Sequence, residues 1–181
     1  ISQTMEIRAS LTDFDKFVSQ AKILSNSDGK CMTHEDTYFN VPEGRLKLRV
    51  SKDSSGSSAA LIFYARSDEN ELSTSPDYNS NEVSHPEGLR ETLRLAYGVL
   101  GTITKKRWTF IIDRVKLHAD LIHGLGSFIK LEVGLTAQEG IDDGNQIVTD
   151  LVQRLGVQNM KILSGDYLEL LSKKTKNVAV W

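Results

Sequence analysis

The sequence contains few of the residues that mark disulfide-rich, zinc-cluster or membrane proteins. Cys31 is the only cysteine in 181 residues, which excludes an internal disulfide and a cysteine-based zinc cluster. No run reaches the roughly 20 apolar residues that a membrane-spanning helix needs. The first ten residues also lack the apolar core of a signal peptide. We therefore expect a cytoplasmic protein that does not bind a membrane.

An excess of positive charge is also missing. The 22 Lys and Arg against 24 Asp and Glu give a formal net charge of -2, so no overall basic field attracts nucleic acid. Hydrophobic residues make up 39% and charged residues 25% of the chain, as in ordinary globular proteins. The length fits one domain over residues 1–181, and neither a repeat nor a low-complexity linker divides it. Nothing indicates an oligomeric state.

Polar and apolar side chains alternate along several short runs, with the period of two that is typical of β-strands. In GRLKLRV, the residues Arg45, Lys47 and Arg49 share one face and the intervening leucines the other. The same alternation or a high content of β-branched and aromatic residues predicts strands at residues 4–10, 61–66, 104–112, 114–121 and 127–135. The fold class is therefore predicted to be mainly β (α+β), with an antiparallel sheet.

Helical spacing of apolar residues predicts a few helices that cover the apolar face of this sheet. They are expected near residues 14–24 with a cap at Thr12 or Asp13, over 86–99 with Gly101 as a stop, over 147–155 ended by Gly156, and over 167–171. Polar segments without hydrophobic period predict loops at 51–58 and 67–85.

Charged residues occupy one face of nearly every predicted strand. A single strand of this kind usually turns its polar side to water, but if several such strands join in one closed sheet their charged faces share an interior. Lysine and arginine side chains that converge there would repel one another unless an anion or carboxylates compensated them. Glu6, Asp120 and Glu132 are then candidate ligands for Mg²⁺, a hard cation that prefers oxygen. The pattern favours a site for a polyanion.

The histidines and two glycines have narrower predictions. His118 is expected to face the interior, where it could contact phosphate or hydrogen-bond Asp120. The other three histidines, His34, His85 and His123, are expected in loops or at strand ends. Gly124 and Gly126 are expected to shape a turn between two strands, not a phosphate-binding loop.

Four blocks of the sequence, in order, resemble the signatures of the CYTH superfamily. They are HEDTYFNVPEGRLKLRV (34–50), LIFYAR (61–66), KKR (105–107) and KLHADLIHGLGSFIKLEV (116–133), and YLELL (167–171) resembles the closing helix. That superfamily includes class IV adenylyl cyclases, thiamine triphosphatases and inorganic triphosphatases. The resemblance implies a closed eight-stranded antiparallel β-barrel, or tunnel, that binds triphosphate compounds with Mg²⁺ or Mn²⁺.

The resemblance also implies roles for single residues. The substrate-binding bases it implies are Arg8, Arg45, Lys47, Arg49, Arg66, Lys105, Arg107 and Lys116, and the metal ligands are Glu6, Asp120 and Glu132. Strand alternation adds Lys130 to the substrate-binding bases, since it faces the same interior. Two positions depart from the family pattern. The opening Glu-x-Glu-x-Lys motif reads Thr4-Met5-Glu6-Ile7-Arg8, and Lys130 stands where the triphosphatases have Glu. The tunnel is therefore expected to be more basic than in its relatives and to hold an anion with less help from metal.

Three functions follow as hypotheses. The leading one is a metal-dependent phosphohydrolase acting on inorganic triphosphate, thiamine triphosphate or a nucleotide, with Glu6, Lys116 and His118 as catalytic residues. The alternatives are a class IV adenylyl cyclase-like enzyme and a non-catalytic polyphosphate- or nucleotide-binding protein. Thr4 and Lys130 favour the binding protein, whereas the three retained acids favour the enzymes.

Overall fold

The computed structural model describes residues 3–65, 78–157, 161–163 and 167–178. The strands of this part are β1 (Gln3–Ser10), β2 (Lys30–Phe39), β3 (Arg45–Asp53), β4 (Gly56–Tyr64), β5 (Tyr78–Glu82), β6 (Val99–Ile112), β7 (Val115–Ile122), β8 (Gly126–Leu135) and the two-residue β9 (Ile162–Leu163). The helices are α1 (Phe14–Ser25), α2 (Pro86–Tyr97), α3 (Ile141–Leu155) and α4 (Tyr167–Val178). None of these helices is both long enough and apolar enough to cross a membrane.

All these strands form one antiparallel sheet in the order β5-β4-β3-β2-β6-β7-β8-β1-β9. The prediction of a mainly β fold with an antiparallel sheet and covering helices is confirmed. In the part of the chain that the structure describes, the edge strands β5 and β9 are not hydrogen-bonded to each other. The predicted closure of the barrel is therefore not confirmed by hydrogen bonding.

The sheet is nevertheless curved. Arg45 on β3 and Arg8 on β1 are five strands apart in the sheet order, and a flat sheet would separate them by about 24 Å. Two residues of one turn of α4 nevertheless reach both, since Glu169 is 3.2 Å from Arg45 and the ring centre of Tyr167 is 5.6 Å from the guanidinium of Arg8. The curvature gives the sheet an outer face and a concave inner face, and the space that the inner face encloses is called the cavity below.

The outer face carries the main hydrophobic core. Met5, Ile7 and Ala9 of β1 are buried there together with alternate residues of β6, β7 and β8. Helices α1 and α3 cover this face with their own apolar sides. Gly144 of α3 allows a close approach, because a Cβ atom at this position would lie 2.7 Å from the sulfur of Met5. Removing these alternate residues from water leaves their polar neighbours on the inner face.

The helix ends agree with the sequence in part. Asp13 caps α1 by accepting a hydrogen bond of 3.1 Å from the backbone N–H of Lys16, as predicted. The predicted stop at Gly101 is wrong, since α2 ends at Tyr97 and Gly98 caps it with a positive φ of 77°. Gly101 lies inside β6.

Two predicted loops contain strands. Residues 51–58 form the turn end of the β3–β4 hairpin, in which Ser51 pairs with Ser58 and Asp53 with Gly56. Serines on both faces hide the alternation there, because neither face is apolar. Of the loop predicted over residues 67–85, the stretch Tyr78–Glu82 forms β5, and residues 67–77 lie outside the described part. The turn at Gly124 and Gly126 is confirmed, with positive φ at both.

Candidate functional site

Charged side chains from six of the nine strands share the inner face of the sheet. We call this set the inner cluster; it consists of Glu6, Arg8, Asp36, Arg45, Lys47, Arg49, Lys105, Arg107, His118, Asp120, Lys130 and Glu132. Each occupies the strand position opposite to an outer-face residue, so the alternation seen in the sequence is what directs these side chains inward. Basic side chains outnumber carboxylates in the cluster.

Asp36 of β2 compensates three bases near the middle of the cluster. Its carboxylate is fully buried and accepts two hydrogen bonds of 2.7 Å from the guanidinium of Arg49. The Nζ atoms of Lys47 and Lys105 lie 3.4 and 3.9 Å from its Oδ2 atom. Because Asp36 pairs directly with Arg49 in the β2–β3 register, the sheet itself fixes this contact.

The surroundings shift the pKa of each member of this group. Burial would raise the pKa of Asp36, but the nearby lysines and the hydrogen bonds from Arg49 hold it well below its usual range. Burial lowers the pKa of Lys47 to about 7, although Asp36 opposes the shift. Burial and the charges of Arg107 and Arg49 lower the pKa of Lys105 well below its usual value. A second anion in the cavity would favour the charged form of both lysines.

Asp120 of β7 is held by a second set of hydrogen bonds. Arg107 donates two to its carboxylate, at 2.7 and 2.8 Å, and the Tyr167 hydroxyl of α4 donates a third at 2.9 Å. Burial would raise the pKa of Asp120, but these bonds and the charge of Arg107 lower it to about 2. Both carboxylate oxygens therefore have partners within the protein.

Lys130 of β8 lies between two carboxylates. Its Nζ atom is 3.5 Å from Oε1 of Glu6 and 3.1 Å from Oε1 of Glu132. Glu132 is also 3.3 Å from Nε2 of His118, a contact that becomes an ion pair when the imidazole is protonated. The other ring nitrogen of His118 is 2.8 Å from the hydroxyl of Thr109. Burial lowers the pKa of His118, and Glu132 only partly opposes this.

Helix α4 closes one end of the cavity. Tyr167 and Leu168 are buried against apolar residues of the inner face, among them Phe128, whose ring centre is 5.4 Å from that of Tyr167. At the same end, Arg45 forms an ion pair with Glu169 and donates a hydrogen bond of 3.2 Å to its carboxylate. The guanidinium of Arg8 and the ammonium of Lys105 lie 5.6 and 5.5 Å from the centre of the Tyr167 ring.

The opposite end of the cavity is more exposed. Lys116 lies on the same strand face as His118 and Asp120, but its side chain is exposed to solvent. It pairs across the sheet with Glu132, so it stands at the rim beside the Lys130 group. The predicted phosphate contact of Lys116 stays a prediction.

The three predicted metal ligands do not form one group. Glu6 and Glu132 are direct neighbours in the β1–β8 register. Asp120 lies four residues further along β7 than Lys116, the strand partner of Glu132, which is a distance of about 13 Å along the strand. In the described residues no three His, Cys, Asp or Glu side chains come together in a way that could hold one metal ion. Because Asp120 is engaged by Arg107 and Tyr167, and Lys130 separates the other two, the residues do not fit a three-carboxylate metal centre.

The sequence located most of the inner cluster but missed some of its members. Arg66, a predicted phosphate contact, lies outside the described residues. Asp36 and Tyr167 were not predicted as site residues, although both fall in the family-like blocks of the sequence. His34 was expected in a loop or at a strand end, but it lies within β2, where it is buried and 3.0 Å from the Ser51 hydroxyl. Burial, with the charges of Arg49 and Lys105, lowers its pKa to about 3.

The fold and the site together define a class of β-proteins in which one curved antiparallel sheet has a charged inner face and a helix covers one end of it. The CYTH domain model matches residues 2–164, so the chain belongs to the CYTH family. This confirms the family resemblance of the sequence blocks.

Individual relatives support the same assignment. The chain is 23% identical over 172 residues to MJ0240 of Methanocaldococcus jannaschii, which is provisionally named an adenylate cyclase, and the match covers 92% of this chain and 97% of MJ0240. The PH1012 protein of Pyrococcus horikoshii superposes with a TM-score of 0.72 at 25% identity, covering 93% of this chain and 99% of that one. HpAC1 from Hippeastrum superposes with a TM-score of 0.66 at 11% identity, covering 94% and 96%.

Proposed function

We propose that the inner cluster binds the triphosphate group of a small molecule and that the protein hydrolyses it. The observation that carries this proposal is the surplus of basic side chains that point into one half-closed cavity. The Nε atom of Arg8 is also buried without a hydrogen-bond partner among the described residues. A buried donor of this kind is costly unless a ligand or a water molecule satisfies it.

A structural neighbour of the chain supports the proposal of triphosphatase activity. The structure of HpAC1 is described as revealing a dominant triphosphatase activity. Inorganic triphosphate, thiamine triphosphate and nucleotides share the group that the cavity would recognise, and each is a candidate substrate. Arginine and lysine hold phosphate oxygens through charge-assisted hydrogen bonds, arginine with a planar fork and lysine with a point charge.

Hydrolysis of a triphosphate depends mainly on positioning and charge stabilisation. The oxygen of a water molecule bonds to the terminal phosphorus as the bridging P–O bond breaks, giving phosphate and diphosphate, and the water proton passes to a base. Glu6 is the most exposed carboxylate of the inner cluster, with 35% of its side chain accessible against 23% for Glu132, and is assigned the role of orienting this water and accepting its proton. Lys116 at the rim and the bases around Asp36 stabilise the charge on the phosphates, and His118 holds Glu132 in place.

An adenylyl cyclase activity is the second candidate, because MJ0240 carries that provisional name. In this reaction the ribose 3′-hydroxyl of ATP attacks the α-phosphorus and releases diphosphate. Both activities need the same triphosphate contacts, so product analysis separates them. A chain that binds ATP and tripolyphosphate but releases neither phosphate nor cyclic AMP would be the non-catalytic binding protein.

The test measures phosphate release from tripolyphosphate, thiamine triphosphate and ATP, and cyclic AMP formation from ATP, each with Mg²⁺, Mn²⁺ or EDTA. Dependence on Mg²⁺ or Mn²⁺ stays a prediction that these conditions examine. Calorimetric titration with tripolyphosphate measures binding apart from turnover. Absence of tripolyphosphate binding under every condition would refute the proposed site.

Arg8→Ala identifies the cavity as the binding site. Losing a charged hydrogen bond to phosphate is expected to weaken tripolyphosphate binding by about 10- to 100-fold. Arg94→Ala is the matched control, since Arg94 lies on the exposed surface of α2, where it pairs with Glu91. Equal weakening by both variants would contradict binding in the cavity.

A further inference from the structure

The position of Lys130 gives the site a positive charge of its own between two acidic residues. Its ammonium contacts Glu6 at 3.5 Å and Glu132 at 3.1 Å, and these glutamates are neighbours on adjacent strands. Only 14% of its side chain is exposed. Two facing carboxylates with a cation between them is also the arrangement in which Mg²⁺ binds, together with phosphate oxygens and water.

We propose that the ammonium of Lys130 is the resident cation of this site, taking the place of a divalent metal between Glu6 and Glu132, so that a triphosphate group binds without a metal ion. This inference rests on the proposed function, since it concerns how the same cavity holds the triphosphate. It assigns a new role to Lys130, which contacts both glutamates and offsets one of their two negative charges, while Arg8, 3.7 Å from Glu6, supplies a second positive charge. The remaining N–H of Lys130 is then available to the phosphates.

The distances favour the ammonium over a metal at this position. Mg²⁺ needs oxygen ligands at about 2.1 Å, so each carboxylate would have to move inward by at least about 1 Å and Lys130 would have to leave. An ammonium has three donors, and two carboxylates leave one for a ligand. Burial and the charges of Arg8 and Arg107 lower the pKa of Lys130, whereas the charges of Glu6 and Glu132 oppose this shift and favour the ammonium.

The neighbours of Lys130 place it where an anion is needed. Arg8 is the direct partner of Lys130 in the β1–β8 register. The charge of Lys130 also lowers the pKa of Lys47 on the far side of the cavity. These three bases would repel one another in a cavity that held no anion. A triphosphate that contacts all three removes that repulsion, and Lys130 links the phosphates to the acidic pair.

Calorimetric titration of the unaltered protein with tripolyphosphate, in EDTA and then in Mg²⁺, gives the direct test. We expect binding in EDTA that is at least as tight as binding in Mg²⁺. Binding that requires Mg²⁺ would overturn the resident-cation role and leave the proposed function standing. Absence of binding in both conditions would overturn the proposed function itself, and this inference with it.

Substitutions of Lys130 give a second test with opposite expectations. Lys130→Gln is expected to weaken binding in EDTA by about 10- to 100-fold, because a charged contact is lost. Lys130→Glu is expected to abolish binding in EDTA and to restore it in Mg²⁺, since three carboxylates then share the position. Lys106→Gln is the control, because Lys106 is exposed on the outer face beside Trp108. Thermal unfolding confirms that each variant is folded before it is titrated.

Glu6→Gln distinguishes a site for a divalent metal from a site occupied by the ammonium of Lys130, while Lys130 itself is kept. A metal ligand that is removed weakens binding in Mg²⁺. Glu6 is also the charge that most raises the pKa of Lys130, so the titration is made at mildly acidic pH to favour the ammonium. A carboxylate that only pairs with Lys130 repels phosphate, and its removal is then expected to leave binding in EDTA as tight as before or tighter. Loss of binding in EDTA on this substitution would contradict the proposal, as would Lys130→Gln binding like the unaltered protein.

Discussion

Asp36→Asn removes the carboxylate that contacts Arg49, Lys47 and Lys105, and its effect on stability can be worked out from these contacts. The substitution keeps the size of the side chain and removes its charge. Arg49 loses the charged acceptor of two hydrogen bonds of 2.7 Å, and the two buried ammonium groups lose a carboxylate at 3.4 and 3.9 Å. Breaking a buried ion pair costs about 3 to 5 kcal/mol, because the remaining charge loses an attraction that offset the cost of its burial.

The expected cost lies at the lower end of that range, about 3 kcal/mol. Lys47 limits it, because a lysine whose pKa is already about 7 gives up its proton easily near neutrality. For a chain of this length, about 3 kcal/mol corresponds to a fall in Tm of about 6 to 12 °C. The carboxylate of Asp36 stays ionised down to low pH, because its pKa is held well below the usual range.

The cost should also depend on pH. In the variant the pKa of Lys47 falls further, so the folded state binds fewer protons than the unfolded state over a wider range, and stability drops as protons become more available. We expect the difference in unfolding free energy between the two proteins to grow as the pH falls from about 7 to about 5. Denaturant titration followed by circular dichroism measures it.

Asp113→Asn is the matched control. Asp113 pairs with Arg154 at 3.0 Å, but 74% of its side chain is exposed, and exposed ion pairs contribute little to stability. Asn also tolerates the positive φ of this position. An Asp36→Asn variant that unfolds within about 1 kcal/mol of the unaltered protein would refute the view that this carboxylate neutralises the bases.

Two further predictions concern the same cavity. Tripolyphosphate affinity should fall by up to about tenfold per pH unit above about pH 7, because Lys47 must then take up a proton on binding. In calorimetric titrations, Lys47→Arg should flatten this pH dependence. An unchanged slope in this variant would exclude Lys47 as the source of the pH dependence. Tyr167→Phe should lower the free energy of unfolding by about 1 kcal/mol, since Asp120 loses a buried hydrogen bond of 2.9 Å, and denaturant titration that shows no loss would rule out a stabilising contact.

The sequence predicts the face of the sheet on which a side chain lies better than it predicts the contacts of that side chain. Alternation places Lys105 and Arg107 on one face because a strand has a strict period of two. Alternation does not assign Asp36 to either face, because Glu35 beside it is also charged and the strand has no apolar face at that point. Its pairing with Arg49 follows from the β2–β3 register, which the sequence does not specify.

The metal ligands illustrate the same limit. Strand alternation alone predicts that Glu6, Asp120 and Glu132 lie on the inner face, and the structure places all three there. Strand register then separates Asp120 from the other two, since its partner on β8 is Phe128, at the end of the cavity that α4 closes. Position along a strand, which alternation cannot determine, decides which acids can share a cation.

The compensation of charge divides the cavity into two parts. Toward α4, Asp120 is satisfied by Arg107 and Tyr167, and near the middle Asp36 neutralises its three bases with hydrogen-bonded or ionic contacts. Around Lys130 the shortest ionic contact is 3.1 Å, against 2.7 Å for the hydrogen bonds that Arg49 and Arg107 donate to Asp36 and Asp120, and Arg8 retains a buried Nε atom without a hydrogen bond among the described residues. An entering phosphate would therefore displace few strong interactions there. Because α4 covers the other end, we expect the triphosphate to enter past Lys116 and to meet Lys130 before it reaches the bases around Asp36.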